Sequence, residues 1–326
     1  HGTGGGNGIH IDAADSVTIE NCLIKNYSNG IFIDWATNVN CRTADSNVIK
    51  NNLLKFNSVG INTNTNCGSN LHEDNKIINN TISFNAKGIR LFRTELSNIT
   101  QNTIQNNSHL GIELTSTNVH DNLLFQNNFI NNTVQAVDSG SNNNWNTTGS
   151  GNYWDSYDEA SEGCINSNGD LFCDSPYINI SGSAASNDSF AYIVENGWLL
   201  GLNTQLIPIQ VVEDVDLVKG KSTLIRVSVT FTSVFENDTI TPNVYLYWNN
   251  NLIESNSSET LGHNELKHYD FWYVPTEEGS NIPIKAHING TSTEGFTFSD
   301  TTEKDVTVIE TRAFRVDFVA VDERRS

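Results

Sequence analysis

Methionine is absent from this sequence of 326 residues, and basic residues are scarce: 18 Lys and Arg stand against 38 Asp and Glu, a formal net charge of −20. That charge would repel a phosphate backbone, so nucleic acid is excluded as a partner. No run of about 18 to 20 apolar residues is present, which excludes a membrane-spanning helix in this segment. The missing initiator Met and the absence of a signal-peptide pattern predict a processed or trimmed chain.

Cysteine is rare and lacks the spacing of a metal site. The five Cys stand at positions 22, 41, 67, 164 and 173 without a CxxC pair, so a zinc motif is excluded. Cys164 and Cys173 close a nine-residue loop, which predicts a disulfide and an oxidising, extracellular location. For Cys22, both a buried thiol and a bridge to a segment outside this sequence are open.

A repeat organises the first part of the chain. Gly-Ile steps recur 22, 30, 28 and 23 residues apart, a period typical of a solenoid coil, at Gly8, Gly30, Gly60, Gly88 and Gly111. Between these steps Asn recurs every five residues, as at Asn47, Asn52 and Asn57. Because Asn tolerates left-handed backbone and stacked amides can form a ladder, each coil is predicted to turn where such an Asn stands.

The pieces between the Asn corners are a few residues long and rich in Ile, Leu and Val. They are too short for helices, and β-branched residues favour strands. One apolar position per coil is predicted to form the core column: Leu23, Leu54, Ile82, Ile104 and Ile130. The sequence therefore predicts an all-β chain that begins with a right-handed parallel β-helix over residues 1–140.

Two coils are longer than the others because each carries an insertion soon after its Gly-Ile strand. The insertions, at 34–46 and 62–74, are expected at the same corner of neighbouring coils. They hold Cys41 and Cys67, so the repeat predicts a second disulfide between these two residues.

The segment from 151 to 177 reads GNYWDSYDEASEGCINSNGDLFCDSPY. Together with the upstream repeats, its NYW, its spaced Asn/Asp run and its DSPY resemble the NosD-like, or CASH, β-helix family. Many archaeal surface proteins of this type carry such a segment after their last coil. The resemblance covers residues 8 to about 200, and it implies a β-helix at a cell surface.

Residues 138–200 contain nine acidic residues and no Lys, Arg or His. Within this stretch, oxygen-bearing side chains stand at loop positions 1, 3, 5 and 9, the spacing by which a short loop wraps calcium. The sequence predicts one Ca²⁺ site, and a disulfide-pinned turn with a solvated acidic face is the alternative. The predicted ligands are Asn166, Asn168, Asp170, Asp174 and the carbonyl of Phe172, with Asp155, Asp158 or Glu162 to complete the shell.

Aromatic residues crowd the same stretch. An aromatic plug over the open end of the last coil is the preferred interpretation, because a solenoid needs a cap, and a sugar-stacking platform is the alternative. Residues 141–203 are therefore predicted to form an acidic, aromatic cap and connector. The aromatic residues are Trp145, Tyr153, Trp154, Tyr157 and Tyr177.

From Thr204 the pattern changes to longer alternating strands such as TLIRVSVTF and IPIKAHI. About seven strands in roughly a hundred residues predict an antiparallel Ig-like β-sandwich over residues 204–326, and WNNNLI predicts a hairpin within it. The run resembles the Ig-like, CARDB-like modules of archaeal and bacterial surface proteins. Its last strand, FRVDFVAV, either closes this sandwich or begins another domain.

Chemistry on the outer face of the β-helix is the main alternative to a structural role. Asp12 and Asp34 are expected one coil apart, with His10 alongside and Arg90 two coils further, a set that a polysaccharide lyase or hydrolase could use. Neighbouring outward positions carry Phe and Asn instead of dense acids and Arg, so we expect no catalysis. Copper handling is not expected either, because Met is absent, the Cys are predicted to pair and the His are scattered.

Eleven Asn-x-Ser/Thr sequons permit N-glycosylation. The leading interpretation is a non-enzymatic, self-assembling extracellular protein of a surface layer, sheath, fibre or adhesin, with copies of itself, other surface proteins or glycans as partners. A protein that binds or cleaves polysaccharide is the alternative. The sequon residues are Asn26, Asn79, Asn98, Asn106, Asn131, Asn146, Asn179, Asn187, Asn237, Asn256 and Asn289.

Overall fold

The computed structural model describes residues 5–35, 42–64, 70–209 and 216–310. The chain forms two compact units, His1–Leu200 and Gly201–Ser326. Within the described ranges, no helix is long and apolar enough to cross a membrane. Cys41 and Cys67, which were predicted to pair, and the FRVDFVAV run lie outside the described residues.

The regular structure of the first unit consists mainly of short strands, because turn residues every five positions leave room for about three residues of strand. Two short 3-10 helices, Ala160–Glu162 and Gly197–Leu199, follow the last coil. The strands are β1 (Asn7–Asp12), β2 (Thr18–Glu20), β3 (Leu23–Lys25), β4 (Asn29–Asp34), β5 (Val48–Lys50), β6 (Leu53–Lys55), β7 (Val59–Thr63), β8 (His72–Glu73), β9 (Lys76–Ile78), β10 (Thr81–Ser83), β11 (Lys87–Leu91), β12 (Thr94–Glu95), β13 (Asn98–Thr100), β14 (Thr103–Gln105), β15 (Leu110–Leu114), β16 (Val119–His120), β17 (Leu123–Phe125), β18 (Asn128–Ile130), β19 (Val134–Asp138) and β20 (Tyr153–Trp154).

The strands of successive coils stack into parallel sheets. One sheet has the order β1-β4-β7-β11-β15-β19 and a second has β20-β18-β14-β10-β6-β3, while two more contain β17-β13-β9-β5-β2 and β16-β12-β8. Equivalent residues of neighbouring coils are partners, as Ile9 is with Ile31 and Ile31 with Ile61. The predicted parallel β-helix is therefore confirmed.

The corners differ from the prediction by one residue. The left-handed conformation belongs to the residue before each repeated Asn: Asn51 has φ 56° and precedes Asn52, and Phe56 has φ 57° and precedes Asn57. The expectation that the repeated Asn itself takes up the left-handed turn was therefore wrong. Its amide is used inside the coil instead.

The repeated Asn residues are buried and hydrogen-bonded from coil to coil. Asn80 donates its backbone N–H and a side-chain Nδ2–H to Oδ1 of Asn102, both at 3.0 Å. Its own Oδ1 accepts the same two bonds from Asn52, and a further Nδ2–H bond reaches the carbonyl of Ile49 at 2.8 Å. Each amide thus has partners on both neighbouring coils, which avoids the cost of an unpaired buried polar group, about 1–3 kcal/mol.

Three such amide ladders run along the β-helix, each at a different corner, and we number them in chain order. In the first ladder Ser97 replaces Asn once, and its Oγ accepts the N–H of Asn75 at 3.1 Å. The first ladder contains Asn47, Asn75, Ser97, Asn122 and Asn143; the second Asn52, Asn80, Asn102, Asn127 and Asn152; the third Asn57, Asn85, Asn107 and Asn132.

The apolar core follows the sheet register and corrects the predicted core column at two places. Ile24 and Phe129 hold inward positions, at 5% and 0% exposure. Leu23, which was predicted to be inside, is 55% exposed, and Ile130 is the register partner of the outward Gln105. Both errors are shifts of one residue, and such a shift turns a strand side chain to the opposite face of the sheet.

The second unit begins with a strand at Gly201, where the sequence placed the start at Thr204. Its longest strands pair antiparallel, as expected from their alternating pattern. The strands are β21 (Gly201–Ile209), β22 (Leu217–Val218), β23 (Thr223–Thr232), β24 (Thr239–Ile240), β25 (Asn243–Trp248), β26 (Asn251–Asn256), β27 (Leu261–Gly262), β28 (Glu265–Tyr273), β29 (Gly279–Thr291) and β30 (Thr297–Ile309).

Two main sheets form this unit, β21-β23-β28 and β22-β30-β29-β25-β26. On β23, Ile225, Val227 and Phe231 are fully buried at alternate positions, as in a strand with one face toward a core. The predicted hairpin joins β25 to β26 through Asn249 and Asn250, both with positive φ, the signature of a type I′ turn. The predicted Ig-like sandwich is confirmed.

The repeated Gly residues stand where neighbouring coils approach most closely. A Cβ atom on Gly88 would lie 2.4 Å from the carbonyl oxygen of Gly111 and 2.9 Å from Cγ2 of Ile104. Because the first of these atoms belongs to the backbone of the next coil, it cannot move aside alone. Gly is required at this position because a side chain would not fit between the coils, and not because the backbone has a left-handed conformation.

Gly88→Ala is expected to destabilise the first unit by about 3 kcal/mol, because overpacking pushes adjacent coils apart. Chemical denaturation followed by circular dichroism measures the change in the free energy of unfolding. Gly201→Ala is the control, since a Cβ there meets no atom within 4 Å. Equal effects of the two substitutions would contradict the close-approach explanation.

Candidate functional site

The outer face of the β-helix brings together three of the four residues of the catalytic alternative. Asp12 and Asp34 are register partners on neighbouring coils. His10 Nε2 lies 3.5 Å from Asp34 Oδ2, and the His10 ring stacks on Phe32 with centroids 5.3 Å apart. Asp34 Oδ1 also accepts the N–H of Trp35 at 2.9 Å. The result is one contact between an imidazole and a carboxylate beside an aromatic stack.

Arg90, the fourth residue, is engaged elsewhere on this face. Its Nε lies 3.4 Å from Glu113 Oε2, and its Nη1–H donates to Asn62 Oδ1 at 3.3 Å. Lys87 Nζ reaches the same Glu113 oxygen at 2.6 Å. The charge of Arg90 is therefore directed to the next coil rather than to Asp34.

The predicted calcium loop winds through successive tight turns. Asn166 Oδ1 accepts the N–H of Gly169 at 2.9 Å. Asn168 Oδ1 accepts that of Asp170 at 3.0 Å, and Asp170 Oδ1 accepts that of Phe172 at 2.7 Å. The side-chain oxygens that were predicted to bind calcium therefore recur at every second residue of one short loop. Each of these three accepts a backbone N–H of the same loop and so stabilises its conformation.

A disulfide and a carboxylate close this loop. Cys164 and Cys173 are joined, with their Cα atoms 4.9 Å apart. Asp174 Oδ2 accepts the N–H of Ser167 at 3.0 Å and its hydroxyl at 2.6 Å. Cys22, by contrast, is a partly buried free thiol.

The carboxylates proposed to complete the calcium shell lie in the neighbouring segment. Burial raises the pKa of Asp155 and of Asp158, and the negative charge of Glu162 adds to both shifts. Asp158 Oδ2 accepts the hydroxyl of Tyr153 at 2.5 Å, and Asp155 accepts a side-chain N–H of Gln135. Asp155 therefore ties the cap to the last coil.

The aromatic side chains of the cap are buried in a stack. The ring of Trp154 lies between Phe129, with centroids 4.3 Å apart, and Tyr177, at 4.2 Å. Trp145 packs against Trp154 at 5.9 Å. Because Trp145, Trp154 and Tyr177 are at most 2% exposed, they form a plug on the last coil and leave no open ring for a sugar.

Side-chain oxygens of β19 and of the cap accept hydrogen bonds where the three ladders end, a feature that the sequence analysis missed. In the first ladder, Asn143 Nδ2–H donates to Asp138 Oδ1 at 3.2 Å. In the second, Asn152 donates its backbone N–H and its Nδ2–H to Asp188 Oδ2, at 2.7 and 3.2 Å. The last amide of the third ladder donates to Gln135 Oε1 at 2.7 Å. The side-chain amide of the last Asn of each ladder therefore has an acceptor.

Asp138 and Asp188 are fully buried and also hold the plug. Asp138 Oδ2 accepts the indole N–H of Trp145 at 2.9 Å, and Asp188 Oδ2 accepts that of Trp154 at 3.0 Å. Burial raises the pKa of Asp188 to about 6, and its N–H donors oppose that shift without cancelling it. The one sequence signal was the stretch 138–200 without a basic residue, which ruled out local ion pairs for these acids.

A separate group on the β-helix could hold a metal ion. Ligand atoms of Glu95, His120 and Asp121 lie within 4.8 Å of one another. His120 Nδ1 is 2.8 Å from Asp121 Oδ2 and 3.5 Å from Glu95 Oε2. Glu73 is the register partner of Glu95, and its pKa is raised by desolvation and by the charge of Glu95. One imidazole and two carboxylates are a donor set that suits a divalent ion.

His72 has a structural role inside the coil. Its Nδ1 accepts the N–H of Ala44 at 3.1 Å, and its Nε2 lies 3.0 Å from the carbonyl oxygen of Asn64. Burial lowers the pKa of His72, so the neutral imidazole is the folded form. Both ring nitrogens are used in holding backbone, which leaves neither for a ligand.

The sequon residues are all at least partly accessible. The exposed ones are Asn26, Asn79, Asn131, Asn179, Asn187 and Asn237, and the partly buried ones are Asn98, Asn106, Asn146, Asn256 and Asn289. Burial therefore excludes none of them as a glycosylation site.

Residues 1–159 match the family model described as periplasmic copper-binding protein (NosD). The first unit is NosD-like. The resemblance drawn from the repeats is thus confirmed over the coils and the start of the cap. The match and the disulfide support a location outside the cytoplasm, either extracellular or periplasmic. No curated protein matches the chain.

Among solved structures, the chain is similar to the CARDB domain of a Pyrococcus furiosus protein, which was crystallised in complex with di-metal ions. The two sequences are 19% identical, and the match covers 34% of this chain and 90% of that domain with a TM-score of 0.26. The solution structure of the same domain matches at 19% identity, covering 34% and 97%, with a TM-score of 0.21. The C-terminal domain of Wzt matches at 11% identity, covering 37% and 84%, with a TM-score of 0.25. At such scores, the two-sheet fold of the second unit is established by its own strand register.

The donor atoms of this chain do not fit copper(I). Thioether and thiolate ligands select that ion, but the sequence contains no Met, and among the described residues Cys164 and Cys173 are oxidised to a disulfide, which leaves Cys22 as a single thiol. The group of Glu95, His120 and Asp121 offers one nitrogen and otherwise carboxylate oxygen, a set for harder ions. No copper chemistry is derived for this protein.

The raised pKa of Asp188 predicts a pH dependence of stability. Its contribution is fully present below the unfolded-state pKa near 3.8 and is lost as the pH rises through about 6, because only the folded state disfavours the carboxylate. Asp188→Asn should therefore reduce the gain in stability between pH 7.5 and pH 4 by about 3 kcal/mol. Chemical denaturation of the full chain at several pH values measures it.

The lowered pKa of His72 acts with the opposite sign, so the difference between wild type and variant isolates Asp188. Glu159→Gln, at an exposed position of the same segment, is the control and should keep the wild-type pH profile. A constant difference between wild type and Asp188→Asn over this pH range would refute the assignment.

Proposed function

We propose that this protein is a non-enzymatic, extracellular structural protein, a β-helical rod that self-assembles in a surface layer, sheath, fibre or adhesin. The observation that carries the proposal is the set of three amide ladders, whose last side-chain amides find acceptors on β19 and in the cap. A buried polar network with every member paired rigidifies a core and specifies one arrangement. Such construction favours reach and resistance to proteolysis.

The outer face supports the non-enzymatic part of the proposal. Arg90 is held by Glu113 and Asn62, away from the paired His10 and Asp34. A reaction on an anionic sugar needs a base and a cation that converge on one point. On this face Arg90 contacts Glu113, and His10 contacts Asp34, so no base and cation converge on a common point.

An apolar side chain on the surface of the β-helix supports self-assembly. Leu23, on β3, is 55% exposed. Contact with another chain would remove this apolar surface from water, which is favourable.

The purified full chain is expected to form oligomers or filaments as its concentration rises. Leu23→Lys should suppress this association, because it replaces an exposed apolar side chain with a charged one that is costly to bury. Leu266→Lys is the matched control, since Leu266 is 53% exposed in the other unit. Analytical ultracentrifugation and negative-stain microscopy with Ca²⁺ present give the readout.

A monodisperse monomer at high concentration would contradict self-assembly. Cleavage of a uronic-acid or neutral polysaccharide by the wild type, lost in Asp34→Asn, would instead support the catalytic alternative and contradict the non-enzymatic role.

We further propose that the loop from Asn166 to Asp174 binds one Ca²⁺ ion that stiffens the cap. Its oxygens recur at the spacing of short calcium loops, and Cys164 and Cys173 pin the two ends together. Residues 138–200 contain no Lys, Arg or His, so no basic side chain of this segment balances the charge of the carboxylates in the loop.

Ca²⁺ at about 100 times its Kd is expected to stabilise the first unit by about 2.7 kcal/mol, which raises its Tm by about 5–10 °C. Asp170→Asn should weaken binding, because it removes a charge while an amide oxygen can still accept the N–H of Phe172. Glu159→Gln is the control outside the loop. Isothermal titration and thermal denaturation measure both effects, and an unchanged Tm with saturating Ca²⁺ would refute the site.

A further inference from the structure

One corner of the β-helix carries an unusual column of residues that are exposed or partly buried. All have φ between 50° and 65°; four of them precede the third-ladder amides, and Asn26 precedes Tyr27. They are brought into line because the strand residues just before them are register partners from coil to coil. The column contains, in order, Asn26, Phe56, Phe84, Asn106 and Asn131.

Phe56 and Phe84 are costly residues at this place. A left-handed backbone costs an ordinary L-residue roughly 1–2 kcal/mol, and unlike Asn, Phe has no polar side chain to compensate locally. Both rings are also more than half exposed, at 53% and 52%. They stack on each other with centroids 5.5 Å apart and an interplanar angle of 23°. Backbone strain often marks functional positions. Its combination with exposed aromatic surface at Phe56 and Phe84 indicates that a ligand covers these rings.

The two Phe residues are flanked by sequons in the same column. Asn106 is one coil beyond Phe84, and Asn26 is one coil before Phe56. Since the rings stack along the column, the face of each ring that the other leaves uncovered is directed to the neighbouring Asn. Sequons distant in the sequence thus stand at both ends of one aromatic pair.

The side chain of Asn106 is oriented for this contact. Its Oδ1 accepts the Nδ2–H of Asn131 at 2.7 Å, so its planar amide leaves Nδ2, the atom that carries an N-glycan, free of that bond. On the other ring, Lys55 Nζ lies 5.8 Å from the centroid of Phe56, so a sugar there would share the ring with an ammonium group. The Phe84 side is the more open of the two.

We propose that N-linked glycans on Asn106 and Asn26 lie against the rings of Phe84 and Phe56. The C–H face of a pyranose is apolar enough to cover an aromatic face, which removes both rings from water. The inference rests on the proposed function only for the extracellular location. It makes this corner a carbohydrate-covered ridge and leaves the other two corners for contact with other chains.

The modification is a glycosyl transfer from a lipid-linked glycosyl phosphate. The bond between the anomeric carbon and the phosphate oxygen breaks, and the phosphate leaves with the electron pair. The bond from Asn Nδ2 to that carbon forms, and Nδ2 loses one proton. A free polysaccharide or a second copy of this chain on the same rings would be different occupants, which the experiment separates.

The test uses the full chain produced in a host that N-glycosylates secreted proteins. Peptide mass mapping is expected to find glycan on Asn106 and Asn26. Hydroxyl-radical footprinting should then show Asn106→Gln raising the labelling of Phe84 several-fold, and Asn26→Gln doing the same for Phe56. Gln is tolerated in such a corner, since Gln101 has φ 59° at the equivalent place before the second ladder.

Asn79→Gln is the matched control, because Asn79 is an exposed sequon with φ 53° at another corner, before the second ladder, and should leave both rings protected. Trp272, 65% exposed in the second unit, is the internal reference for labelling. Unmodified Asn106 and Asn26 would overturn the proposal, as would glycans whose loss leaves the rings equally labelled. Ring protection that depends on protein concentration or on added polysaccharide would overturn it in favour of the other occupants. Self-assembly through Leu23 is measured separately, so either proposal can fail alone.

Discussion

The buried amide ladder is the constraint on which the rest of the first unit depends. An Asn inside a coil carries two donors and one acceptor away from water, and each must find a partner on an adjacent coil. Asn80 meets this need through Asn52 and Asn102, which holds the coils in one register. Gly at the close approach, one left-handed residue per corner and strands of about three residues all follow from that register.

Each ladder needs acceptors from a next coil. At the last coil, Asp138 and Gln135 of β19 and Asp188 of the cap supply them. Asp138 accepts hydrogen bonds from the last amide of the first ladder and from the indole N–H of Trp145. Asp188 does the same for the last Asn of the second ladder and for Trp154. Hydrogen bonding and aromatic packing therefore close the β-helix together. The cost is a buried carboxylate, which appears as the raised pKa of Asp188.

The same register sorts the surface into columns, and it leaves the outward positions free to vary. On one face, charges pair between coils, as Arg90 does with Glu113, so a set that resembled a reactive site is neutralised internally. At one corner, Phe84 and Asn106 become neighbours although the chain between them completes a coil. Function in such a protein depends on which residues share a column, more than on which are adjacent in the chain.

The sequence by itself determined the β-helix, the sandwich and the hairpin at Asn249, because periods of about five and two residues and a turn signature are local properties. It did not determine which of two adjacent residues points inward, so Leu23 and Ile130 were misplaced, nor which corner residue is left-handed. Only the tertiary structure decided the partners of Asp138, Asp188 and Arg90. Those choices depend on hydrogen bonds and charges between coils, whose energies no local pattern contains.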